Sequence, residues 1–186
     1  QHLERLQKAS RYFAFPFEQE VLRQKLEKEC QACDLHQDYR LRISLSKSGE
    51  IEIERQVLTP LSSSFCQAKL CLQEADLEQA FTYFKTTHRP HLTVGEQEII
   101  YHTADGKLLE TSIGNLVLKM NSKFYTPPST LAILPGIYRQ HLLESRQVEE
   151  KVLTIEDLKQ AEVIYACNAV RGLYELKLET ELSFLG

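Results

Sequence analysis

The sequence predicts an α+β protein in two parts: a small α/β domain with its linker over residues 1–83 and a strand-rich domain over residues 84–186. Three observations carry this. Two helical apolar stripes precede a hairpin pattern near the start. A run of short alternating segments cut by turn formers fills the middle. Two helix starts and a strand–turn–strand pattern follow.

The first element, "QHLERLQKASRYF", places Leu3, Leu6, Ser10 and Phe13 along one helical face. It starts without Met and no capping residue precedes it, so further residues are expected upstream. Pro16 then breaks the chain, and Leu22, Leu26, Cys30 and Cys33 recur at helical spacing. "YRLRISLS" alternates, with Tyr39, Leu41, Ile43 and Leu45 on one face, and "KSGE" turns it into Ile51 and Ile53. "LTPLSSS" is a linker signal, and "FCQAKLCL" after it reads as a strand. Beyond residue 85 come short strands separated by Asp105-Gly106 and Asn121-Ser122. "LPGIYRQHLLES" starts a helix after a Pro-Gly pair. "TIEDLKQA" starts another, with Thr154 and Asp157 at capping-box spacing. The end, "VIYACNAVRGLYELKLETEL", is a strand, a polar turn and a strand carrying Leu176 and Leu178.

Composition narrows the function classes. With 186 residues, 42% of them hydrophobic, the chain can fill a core. A net charge of -4 with scattered Lys and Arg gives no nucleic-acid footprint, and no apolar run reaches membrane-spanning length. Five cysteines, an odd number, fit a reduced cytoplasmic protein better than a disulfide framework. Cys30 and Cys33 with His36 nearby could suggest a metal site. Both thiols continue the apolar stripe and no second ligand pair exists, so no metal is expected; His88 and His91 flank a proline and make no ligand pair either.

Four other places could carry chemistry. "FKTTHRP" sets Lys85 and Arg89 among hydroxyls directly after the apolar-rich run "LEQAFTYF". The Pro-Gly turn before Ile137 and Tyr138 leaves their amides without intrahelical partners, where an anion is favoured. "CNAVRG" offers a second nest of amides and the Asn168 side chain; its plain alternative is an ordinary connection with a glycine. Glu110 ends a strand in an apolar, hydroxyl-rich stretch. Periodicity favours a surface hairpin glutamate there, whereas a buried one would require a cation or a shifted pKa. Together, one amine, one acid and two anion cradles are what a pyridoxal phosphate (PLP) enzyme needs.

The ordered motifs "HLERL", "FKTTHRP", "ETSIGNLVL", "YTPP", "LPGIYRQ" and "CNAVRG" resemble the fold-type IV PLP enzymes, the class IV aminotransferase family with its D-amino acid aminotransferase-like fold. The resemblance runs from His2 to about Gly172. Within the family it is closest to the aminodeoxychorismate lyases, including forms fused to aminodeoxychorismate synthase. It implies that Lys85 forms the Schiff base with PLP and shuttles protons, that Glu110 faces the pyridine nitrogen, and that Arg5 clamps the phosphate. Ile137, Tyr138, Asn168 and Ala169 would complete the cradle, and Arg89 and Arg171 would contact substrate. The implied reaction releases pyruvate from 4-amino-4-deoxychorismate to give 4-aminobenzoate, a folate precursor. The implied setting is a cytoplasmic homodimer, with possible association or fusion with the synthase. Two alternatives stay open: an aminotransferase acting on branched-chain or D-amino acids, and a truncated, non-catalytic domain of the same fold. Members of the family carry roughly thirty residues before the motif corresponding to "HLERL".

Overall fold

The computed structural model describes residues 1–73 and 79–179. The start of the run "LEQAFTYF" and the last residues of the expected terminal strand, from 180 onward, lie outside the described residues. The chain divides into two compact units, residues 1–62 and 63–186, at the serines of the linker signal.

In the first unit, helix α1 (His2–Tyr12) and helix α2 (Gln19–Gln31) are followed by a hairpin of β1 (Tyr39–Leu45) and β2 (Ile51–Val57). The strands pair antiparallel with Ile43 opposite Ile53. The turn needs Gly49 at φ +87, a region that a side chain would strain. Leu22 anchors α2 at 1% exposure, and the Lys25 ammonium donates to the Ile51 carbonyl at 2.7 Å, so α2 lies against β2. The expected stripes are only partly realised. Leu3 is exposed on α1, where Ser10 is the buried position, and Cys30 is exposed at the end of α2.

The second unit is a closed sheet. Its elements are β3 (Phe65–Leu72), α3 (Gln79–Tyr83), β4 (Glu98–His102), β5 (Leu108–Thr111), β6 (Asn115–Met120), β7 (Lys123–Thr126), a 3-10 turn (Ser129–Leu131), α4 (Ile137–Glu144), β8 (Glu149–Glu150), α5 (Ile155–Gln160), β9 (Val163–Asn168) and β10 (Gly172–Leu178). The strand order is β5-β4-β3-β10-β9-β6-β7-β8. A further β5–β6 pairing closes six of the strands into a barrel. β3, assigned from sequence to the first domain and its linker, pairs in parallel with both β4 and β10 of this barrel.

Alternation explains the packing. Ala68, Ile100, Leu108, Leu116, Leu118, Ala166 and Leu176 point to one interior cluster. Ile99, Tyr101 and Leu109 meet Ile133 outside it, and Val117 and Cys167 meet Leu142 of α4. Each fully buried aliphatic side chain contributes about 1.5–3 kcal/mol. Asn121 and Ser122 both take positive φ, as the two-residue β6–β7 loop requires. The Thr154/Asp157 capping box starts α5: the Asp157 amide donates to Thr154 Oγ1 at 3.2 Å, and the Thr154 amide donates to Asp157 Oδ2 at 2.9 Å.

Candidate active site

A β-bulge creates the acid of the site. Ile100 pairs with Thr111 and His102 with Leu108, so two steps along β4 face three along β5. Strict alternation from the inward-pointing Leu108 would send Glu110 into the barrel interior. The extra residue instead puts it on the outer face, in register with Asn115, which pairs in turn with Cys167. There Glu110 is 3% exposed, which removes the surface-hairpin alternative.

The required cation is Arg89. Its Nη2 donates to Glu110 Oε1 at 3.2 Å, and the Leu134 amide donates to the same oxygen at 3.3 Å. Burial pushes the Glu110 carboxyl above the usual range. The Arg89 guanidinium opposes this most, with the Leu134 amide and the Lys85 charge acting in the same direction. Lys85 is exposed on the loop after α3, and its electrostatic reach to Glu110 places the amine and the acid in one neighbourhood. Arg89, expected at the substrate, is thus the partner of the acid.

The two candidate anion cradles also meet. Gly136 is the N-cap of α4 and offers no side chain to the first-turn amides of Ile137 and Tyr138. Asn168 Oδ1 accepts from the amides of Val170 at 3.0 Å and Arg171 at 2.9 Å, shaping the turn that carries Ala169. That turn ends at Gly172, with φ +69, where an added Cβ would lie 3.4 Å from the Tyr138 hydroxyl. The turn therefore sits against the start of α4. Asn115 ties this corner to the acid: its Nδ2 donates to the Leu134 carbonyl at 2.8 Å, and a Cβ on Gly136 would come within 2.0 Å of its Oδ1. Sequence reading passed over the roles of Asn115 and Leu134, although both stand inside motifs it had singled out.

Other expected residues are placed as follows. Arg171 is half-buried, and its charge reaches the Cys66 thiol. Arg5 lies half-buried on α1 of the first unit.

His91, two residues past Arg89, is 7% exposed. Neither of its ring nitrogens has a partner among the described residues. Burial, with the Arg89 and His88 charges, lowers its pKa to about 4. A neutral buried imidazole that charges on unfolding contributes stability above the free histidine value of about 6.5, and that stability is lost as pH falls towards about 4. Urea unfolding across that window is expected to show this loss in the parent and a smaller one in His91→Leu.

Comparisons with known proteins bear on this geometry. The model of the amino-transferase class IV family matches residues 1–177. An uncharacterized protein of Haemophilus influenzae is 35% identical over 69 residues, which span 37% of this chain and 36% of that protein. A structure from Mesorhizobium loti, provisionally identified as an amino-acid aminotransferase, superposes with a TM-score of 0.82 at 23% identity, covering 96% of this chain and 90% of its own. One from Haemophilus somnus, provisionally identified as a 4-amino-4-deoxychorismate lyase, gives 0.69 at 23% identity over 92% and 88%. At such identities these superpositions establish the fold.

Proposed function

We infer the reaction from one premise: this chain belongs to the class IV aminotransferase family, whose members depend on PLP. The proposed reaction is elimination of pyruvate from 4-amino-4-deoxychorismate to give 4-aminobenzoate. The observation that carries it is the buried Arg89–Glu110 pair, because it joins "KTTHRP" to "ETSIGNL", two of the motifs on which the lyase resemblance rests.

The residues present fit PLP. A buried acid with one oxygen held by two donors supports a place for the protonated pyridine nitrogen, and the uncapped amides of Ile137 and Tyr138 beside the Asn168–Ala169 turn support a phosphate seat. Held by these residues, PLP would supply an electron-withdrawing ring for the amine-bearing substrate. Lys85 Nζ would then take a proton from a ring carbon as the carbon–oxygen bond to the enolpyruvyl group breaks. The ring would become aromatic, and the departing enolate would take that proton from Lys85 at its methylene carbon to leave as pyruvate, so atoms balance without an oxidant or a second substrate. Arg89 and the Leu134 amide would favour the ionised form of Glu110 against the burial that raises its pKa.

The second reading, an aminotransferase, is supported by the family match itself, whose model is that of the class IV amino-transferases. One assay separates the two. Purified protein with PLP receives aminodeoxychorismate alone and, in a second reaction, a branched-chain or D-amino acid with 2-oxoglutarate. Pyruvate and 4-aminobenzoate formed without a keto acid support the lyase. Amine exchange that requires the keto acid, without pyruvate release in the first reaction, overturns it.

A further inference from the structure

Glu98 is a second buried acid, 7% exposed, and the reaction above does not use it. It starts β4 with the inward parity of Ile100. Among the described residues no lysine or arginine forms an ion pair with it. Two hydroxyls satisfy it instead. Tyr174 donates to Oε1 at 2.7 Å, and Ser112 donates to Oε2 at 2.9 Å. One hydroxyl lies in a turn and the other in a strand. Ser112 lies in the β5–β6 hairpin that follows Glu110, and its Oγ also accepts from the Ile99 amide at 2.8 Å. Tyr174, in β10, accepts from Asn168 Nδ2 at 3.5 Å, and Asn168 builds the turn whose end abuts Tyr138.

Burying an acid in an apolar barrel is costly unless every acceptor is met, and a met network of this kind fixes geometry. Burial and the Glu98 charge push the Tyr174 pKa up, so its hydroxyl keeps its proton and stays a donor.

We propose that Glu98 is a positioning residue of the phosphate seat. Through Tyr174 it fixes the Asn168–Ala169 turn against the start of α4, while Ser112 satisfies its second oxygen. The proposal rests on reading residues 137, 138, 168 and 169 as that seat. A carboxylate suits the place because both hydroxyls donate. Ser112 Oγ already spends an acceptor site on Ile99, and a glutamine would turn one oxygen into a donor facing a donor.

The test compares binding of PLP and of pyridoxal, which lacks the phosphate, to the parent, Glu98→Gln and Tyr174→Phe, with thermal midpoints recorded alongside. Both variants are expected to bind PLP at least about tenfold more weakly, a loss of about 1.4 kcal/mol, while pyridoxal affinity changes less than about twofold. Equal weakening for both ligands would mean general loosening and overturns the proposal, as would unchanged PLP affinity in either variant. Tyr174→Phe removes a single hydroxyl and keeps the test decisive should Glu98→Gln fold poorly. A parent that binds the two ligands equally would sink the phosphate seat itself, and the proposal with it. A parent that prefers PLP while the variants match it sinks the proposal alone.

Discussion

Lys85→Ala is expected to lose lyase turnover by at least about a thousandfold while its unfolding curve stays close to that of the parent. The side chain is exposed on the loop between α3 and β4, so its removal leaves no buried cavity. What disappears is the amine proposed to bond the cofactor and to move the proton at the substrate ring. A positioned proton-transfer group accounts for about two to four orders of magnitude, and loss of the covalent link adds to that. Absorbance gives a second reading of the same variant: the band that the parent develops on adding PLP should be absent. Turnover within tenfold of the parent would show that another residue carries the chemistry.

Arg89→Met should be the most destabilising of the site substitutions, by about 3 kcal/mol at neutral pH. Glu110 keeps only 4% of its side chain exposed, and its cation 16%. Removing Arg89 strands a charge whose carboxyl burial has already pushed upward. The sign of the pH dependence follows. A carboxyl whose folded pKa lies above its unfolded value binds its proton more readily in the folded state. Its favourable contribution is therefore present at low pH and lost as pH rises through the folded pKa. The stability gap between Arg89→Met and the parent should shrink on acidification from about pH 8 to about pH 5. The double variant Arg89→Met/Glu110→Gln, with no stranded charge, should recover most of the loss. Because the Arg89 charge is one of the causes that lower the His91 pKa, the comparison is made in a His91→Leu background, where that contribution is absent. A gap that does not vary with pH, or a double variant as unstable as the single one, would show that the pair is not what stabilises this corner.

Local signals were legible wherever backbone chemistry decides them. The Thr154/Asp157 box, the Asn121-Ser122 loop and the β1–β2 hairpin stand where turn and capping residues required. The helical faces of the first unit were less legible, because a stripe shows periodicity and not what lies opposite it; Leu3 and Cys30 kept the spacing without the burial. β3 was assigned to the wrong sheet's neighbourhood for a related reason: its partners, β4 and β10, are far along the chain, and parallel pairing leaves no turn between strands to read. At the site, "ETSIGNL" drew attention to Glu110, yet periodicity favoured a surface hairpin glutamate and the fold buries it. The bulge that re-aims it depends on a register between two strands, which one strand's residues cannot encode alone. Glu98 went unseen because its donors, Ser112 and Tyr174, meet only once the barrel has closed.

The pairing that joins the two ends of the cylinder is the rung between Glu110 and Asn115. The stitch that shuts the wall thus shares a residue with the acid of the proposed chemistry. A cation docking on that carboxylate would pull on the seam itself, so occupancy would act as a clasp for the whole β-structure, and loosening the clasp would fray both the wall and the chemistry together.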